Sequence, residues 1–187
     1  MNRRAAFLLA LLPQLGFVGW LTWQGERTLA LGRLVTLDVE ATAPIDPLRG
    51  RYLRLEYAAS HVDGALGPLD DATSRVGQTV YVAFMRAGDE WWPYRYAFEL
   101  IESETGETAV LAGTLRSVSE GRIEVDYAFD QYFIPNDGLD VHGLADVRLR
   151  VRLRVDATSG RGVIEDVLVD GQPYLEWNRR EHERRGR

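Results

Sequence analysis

The side chains best equipped for chemistry in this 187-residue chain are its carboxylates, three histidines and a few serines. Asp46, Glu56, Asp126, Asp130, Asp137 and Asp140 could supply a paired acid and base, but nothing in their spacing requires such a pair, which would have to be met in space. Ser60-His61 and the Ser117/Ser119 pair lack a nucleophile-elbow setting such as Gly-x-Ser-x-Gly. His61, His142 and His182 lie far apart in sequence and form no His-x-x-x-His ligand pair. Cysteine is absent, which excludes disulfide frameworks, thiol nucleophiles and sulfur-ligated zinc. All 22 basic residues are arginine, so Schiff-base chemistry and a phosphate-loop lysine are excluded as well. No G-x-G-x-x-G string occurs, and neither a cofactor nor a metal is expected. An enzyme is the weaker expectation, because a nucleophile, a base and an orienter are not visibly placed together.

Two other groups of residues suit binding better than catalysis. Arg148, Arg150, Arg152 and Arg154 alternate with Val147, Leu149, Val151, Leu153 and Val155, so a strand here would carry four guanidiniums on one face, about 6.7 Å apart. Such a stripe suits anionic lipid headgroups, envelope polysaccharide or an acidic partner. It equally suits ion pairing to Glu124, Asp126, Glu165 or Asp166 on neighbouring strands, which is the favoured expectation and also guards an edge against aggregation. The second group, Tyr52, Trp91, Trp92, Tyr94 and Tyr132, could line the mouth of a barrel and hold a small ligand. Around Tyr132, the run from Asp130 to Gly138 places Tyr132, Phe133 and Ile134 before a Pro-Asn-Asp-Gly turn. Burial as a plug is the expectation there over the lining of a cleft.

The elements that hold these residues are mostly strands. Strand patterns, mostly of period two, cover Leu34–Glu40, Arg51–Ala58, Gln78–Arg86 (apolar on both faces, as in a central strand), Trp92–Ile101, Ala109–Ser117, Arg122–Phe129, Asp146–Asp156 and Gly162–Val169. Eight such segments without intervening helical crossovers predict an all-β fold, an antiparallel barrel or sandwich of seven or eight strands. Residues 68–76 are expected to form a loop carrying one helical turn, capped by Asp70 or Asp71.

Ahead of this body, Ala5–Trp23 runs nineteen residues without a formal charge. As a helix it reaches roughly 28 Å, close to the hydrocarbon thickness of a bilayer. Arg3 and Arg4 precede it and Trp20 and Trp23 close it, the pattern of a cytoplasmic basic flank and an interfacial aromatic belt. A cleaved signal peptide is the rival, but Leu21-Thr22-Trp23 is bulky for a cleavage site. The expected organisation is therefore a cytoplasmic tip and single-pass anchor at 1–23, a spacer at 24–33, an extracytoplasmic β-domain at 34–175 and a polar, flexible tail at 176–187, the whole in the inner membrane. The first four residues and the tail each carry +2, so the body between them holds −10 against a net −6. A body so acidic repels phosphate backbones, and nucleic acid is excluded as a partner.

Gly50-Arg51-Tyr52-Leu53-Arg54-Leu55-Glu56-Tyr57, preceded by Asp46-Pro47, resembles the string that names the GDYXXLXY family of bacterial membrane-anchored proteins. Tyr132-Phe133-Ile134-Pro135-Asn136 is similar to a second block of that family, and Val169-Asp170-Gly171 to the turn that closes a third. Arg51 stands where the family name has Asp, and Asn136 where Glu is common. The resemblance implies an extracytoplasmic domain, often encoded beside a multi-spanning membrane protein, and it brings no catalytic residues. The expected function is a non-enzymatic accessory protein that docks on a polytopic inner-membrane protein or another envelope component. A small-ligand or polyanion-binding β-module is the alternative, and a hydrolase a more distant one.

Overall fold

The computed structural model describes residues 3–42, 45–46, 50–103, 106–134 and 147–185, with the side chains of 3–10, 21, 42, 45–46, 50–51 and 185 outside that description. A long helix, α1 (Arg3–Leu31), leads into twelve strands: β1 (Arg33–Thr42), β2 (Ile45–Asp46), β3 (Gly50–Tyr57), β4 (His61–Asp63), β5 (Thr79–Ala87), β6 (Glu90–Ala97), β7 (Thr108–Ser119), β8 (Arg122–Asp126), β9 (Gln131–Phe133), β10 (Leu149–Val155), β11 (Gly162–Val169) and β12 (Gln172–Pro173). A one-turn helix, α2 (Leu69–Ala72), lies between β4 and β5, and α3 (Tyr174–Arg185) follows β12.

The strands form two antiparallel sheets around one core, so the expected all-β class holds. One sheet runs β12-β11-β10-β1-β3-β2, with β9 added on β3; the other runs β4-β8-β7-β5-β6. All eight expected strands are present. The remaining four span two or three residues each, too few for a periodic pattern to register.

Alternation decides which side chains enter the core. On β1, Val35, Leu37 and Val39 are buried, and on β10 Leu149, Val151, Leu153 and Val155 are, while the arginines between them stay partly exposed. Leu53, Leu55 and Tyr57 of β3 join the same core, which reaches Val80, Val82 and Phe84 of β5 in the opposing sheet. The hairpin from β11 to β12 turns on Asp170 and Gly171, both at positive φ (49° and 81°), the pair of left-handed residues a two-residue type I′ turn needs.

Three expectations are corrected. Residues 24–33 are no separate spacer: α1 continues through them to Leu31, and a single residue, Gly32, precedes β1. The tail is helical as far as Arg185 rather than irregular, and Tyr174, Trp177 and Asn178 share one face of α3 that packs inward. In α2 the N-cap is Pro68, without a side-chain cap bond, and Asp70 and Asp71 occupy the first turn, where the helix dipole favours negative charge. Among the described residues no helix is long and apolar enough to cross a membrane. The first part of the expected span, Ala5–Ala10, lies outside the described side chains.

Candidate interaction surfaces

The arginine face of β10 is tied into acidic partners. Arg148 Nε donates to Asp38 Oδ1 at 3.0 Å, and its Nη2 reaches both Asp38 Oδ2 and Glu90 Oε1 at 3.0 Å. Those two bonded carboxylates hold the Arg148 guanidinium above its ordinary basicity. Arg152 Nη2 donates to Asp166 Oδ2 at 3.2 Å, and Arg154 donates from Nε and Nη2 to Glu165 Oε1 at 3.1 and 2.9 Å. The β10–β11 register slips between Arg152 and Leu153, leaving Glu165 without an opposite residue. That bulge lets consecutive carboxylates, Glu165 and Asp166, both approach Arg152. Arg150 lies opposite Asp38 but forms no ion pair among the described residues.

Of the acidic partners expected for this stripe, the structure therefore brings Glu165 and Asp166 to it. Glu124 is elsewhere, accepting from Arg116 and Ser117 in the other sheet. Asp38 and Glu90 escaped sequence reasoning. Asp38 sits on β1, whose pairing with β10 depends on a fold-level register, and Glu90 begins β6 of the opposite sheet.

The five aromatic residues do not converge. Tyr52 is buried beside Phe133, ring centroids 6.1 Å apart, and Tyr132 meets Tyr174 edge-on at 6.1 Å. Trp91, Trp92 and Tyr94 are on β6, the edge strand of the other sheet. There Trp91 packs against the main core, Tyr94 against a small cluster around Ala83, Ile101 and Val110, and Trp92 stays exposed. Tyr132 and Ile134 turn inward and Phe133 outward, so the described part of the Asp130–Gly138 run caps the core with alternate residues. Pro135–Gly138, Asp140 and His142 lie outside the described residues.

The family-like string on β3 has a plain structural use. Leu55 and Tyr57 are core residues, and the Tyr57 hydroxyl donates to the Phe129 carbonyl at 2.7 Å. Tyr127 and Phe129 stack at 5.3 Å, and the Tyr57 ring meets both edge-on. Tyr127 in turn donates to Ala59 O at 3.2 Å. Burial raises the pKa of both phenols well above the ordinary value, with the Asp130 charge adding to the effect at Tyr57. This aromatic knot fastens the segment by which the chain leaves β8 for β9, whose Asp130 carbonyl also accepts from Leu55 N at 2.8 Å.

Outside the knot, between the last turns of α1 and the β-domain, lies an open groove of about 1050 Å³. Trp20, Trp23 and Arg27 form its helical wall, Phe129 part of its floor, and Asp156 and Arg161 its far rim. The Arg27 guanidinium sits 5.6 Å from the Trp23 ring centroid, and Arg161 Nη1 donates to Gln24 Oε1 at 3.4 Å. The rim is a firm turn. Asp156 accepts from Thr158 N (3.0 Å), Thr158 Oγ1 (2.7 Å) and Ser159 Oγ (2.9 Å), and Gly160 O accepts from Ala112 N on β7 at 2.8 Å. Hydrogen bonds from Thr158 first, then Ser159 and the nearby Arg27 charge, hold the Asp156 carboxyl below its usual range. The sequence named Trp20 and Trp23 as interfacial residues, but the groove itself was invisible there, because it depends on how α1 meets the sheet.

A second hollow, around Asp63, Asp70 and Asp71, presents carboxylates and glycines, and no metal-holding group of His, Asp or Glu occurs among the described residues. No curated protein and no solved structure matches the chain. Residues 14–167 match the family described as GDYXXLXY protein, so the chain, with Tyr52, Leu55 and Tyr57 of the naming string set as above, belongs to the GDYXXLXY family.

Proposed function

We propose that this chain is a single-pass inner-membrane protein without enzymatic activity, its N-terminus cytoplasmic and its β-domain outside, where that domain docks on a polytopic membrane protein. The observation that carries this reading is the exposure of α1. Leu12, Leu15, Phe17 and Val18 are each 58–66% exposed. Apolar groups uncovered around a helix need a non-aqueous surrounding, and uncharged residues flanked by Arg3 and Arg4 at one end and Trp20 and Trp23 at the other suit a bilayer.

The helix is coupled directly to the β-domain. Gly32 N donates to Thr28 O at 2.8 Å, closing the last turn, and Gly32 O accepts from Arg154 Nη1 at 3.2 Å. A Cβ at position 32 would collide with the Thr28 carbonyl and press on the backbone of Arg154 and Val155, so the junction requires glycine. A domain set this tightly on its anchor presents a fixed face to a neighbour in the same membrane. Because Arg148, Arg152 and Arg154 are already ion-paired, the arginine stripe supports the fold more than it supports capture of a polyanion.

Affinity purification of the full chain from native membranes in mild detergent tests the reading. A polytopic membrane protein should co-purify in stoichiometric amount, and deleting it should lower this chain's abundance. Recovery of the chain alone, with abundance unchanged across deletions of neighbouring membrane proteins, would count against it.

A further inference from the structure

The groove between α1 and the β-domain is placed where a lipid headgroup would meet the protein, if α1 is the anchor proposed above. We propose that it binds one anionic phospholipid of the outer leaflet, with the phosphate between Arg27 and Arg161 and the acyl chains leaving along Trp20 and Trp23 into the bilayer. This rests on the anchoring reading and adds a ligand to it.

Charge is the first support. The protein as a whole is acidic, at −6, yet the groove's described lining holds three arginines and a single carboxylate. That carboxylate, Asp156, is committed to Thr158 and Ser159 of its own turn. Arg27 and Arg161 form no ion pair among the described residues. One rests over an indole and the other reaches only a neutral amide. Asp156 is close enough to feel the Arg27 charge but bonds to neither guanidinium, so the pair carries a net positive charge at an apolar boundary that favours a phosphate, to which arginine offers several donors at once.

Polarity and size agree. The helical wall is aromatic toward the bilayer side, at Trp20, and cationic about two turns later, at Arg27, the order in which an amphiphile would present chain and head. The volume of about 1050 Å³ lies just above the roughly 300–1,000 Å³ of ordinary ligand sites, enough for a headgroup and the first methylenes. Tyr57 of the family's string holds Phe129 by its carbonyl, and Phe129 lines the groove.

The test is lipid retention. Full-length protein is placed in nanodiscs of phosphatidylcholine with a minority of phosphatidylglycerol, then released for native mass spectrometry. Wild type should retain one phosphatidylglycerol in preference to phosphatidylcholine. The double variant R27Q/R161Q should retain roughly tenfold less, as expected when charge-assisted contacts to one phosphate are lost. R27K/R161K should keep most of the retention, and R179Q/R180Q, with the same charge change on α3, all of it. Ala157→Glu, on the same turn, should weaken retention while leaving both arginines in place, which guards against a double variant that fails to fold. Equal retention of the two lipids, or equal loss in the α3 variant, would overturn the lipid site. A chain that inserts normally but retains no phosphatidylglycerol overturns this site alone, whereas a chain that never enters the nanodisc overturns the anchor as well.

Discussion

Tyr57 and Phe129 are joined twice, by a 2.7 Å hydrogen bond from the Tyr57 hydroxyl to the Phe129 carbonyl and by an edge-on ring contact at 5.3 Å. Seventy-two residues separate them in the chain. The bond satisfies a buried carbonyl at the point where the chain passes from one sheet to the other. Tyr57→Phe keeps the ring and should cost about 1–2 kcal/mol, the cost of leaving a buried acceptor without its donor. Tyr57→Ala also opens a cavity and should cost roughly 3–5 kcal/mol. Urea unfolding midpoints of the two variants measure the difference.

The same burial predicts an alkaline limit. Tyr57 and Tyr127 have pKa values raised far above 10.0, chiefly by desolvation. In the unfolded chain they ionise near the ordinary tyrosine value, so the unfolded state releases protons that the folded state keeps. Their contribution to stability is complete below that value and declines as pH rises past it. Ultraviolet titration of phenolate should therefore leave at least these two of the eight tyrosines silent until the protein unfolds. Smooth ionisation of all eight with native circular dichroism intact would contradict the burial.

Asp156 sets a limit at the other end. Its carboxyl is held low by Thr158 and Ser159, so the stabilisation it gives is present above the ordinary carboxylate pKa and is lost as pH falls through its lowered value. Asp156→Asn should weaken the rim turn and flatten the acid end of the stability profile. Thermal melts of both proteins from neutral to acid pH read this directly; parallel profiles would show that the carboxylate has no such role.

The ion pairs on β10 should differ in weight. Arg152 and Arg154 are 34% and 29% exposed at their side chains and share Glu165, whereas Arg148 is 56% exposed. Glu165→Gln strips charge from two arginines and should cost about 1 kcal/mol, reduced by salt. Arg148→Gln should cost less. Denaturant midpoints at low and high ionic strength separate the two.

Much of this architecture could be read before any coordinates. Eleven residues from Asp146 to Asp156 alternate strictly, and burial follows them residue by residue on β10. What stayed illegible was non-local. Asp38 and Glu90 meet Arg148 across separations of 110 and 58 residues, a relation no local spacing encodes. The aromatic residues Tyr52, Trp91, Trp92, Tyr94 and Tyr132 were grouped by type, but the fold divides them between sheets. Helix α3 was hidden by its polar composition, although Tyr174, Trp177 and Asn178 at i, i+3 and i+4 did mark its buried face.

Because the natural chain has no cysteine, its membrane topology can be read by single-cysteine labelling without background. Asn2→Cys would mark the N-terminus and Ser119→Cys the exposed end of β7. In intact spheroplasts a membrane-impermeant maleimide should label Ser119→Cys and spare Asn2→Cys until the membrane is permeabilised, with the chain resisting alkaline extraction. Labelling of neither site before permeabilisation, or recovery of the chain from the soluble fraction after gentle lysis, would contradict a β-domain anchored outside the membrane by α1.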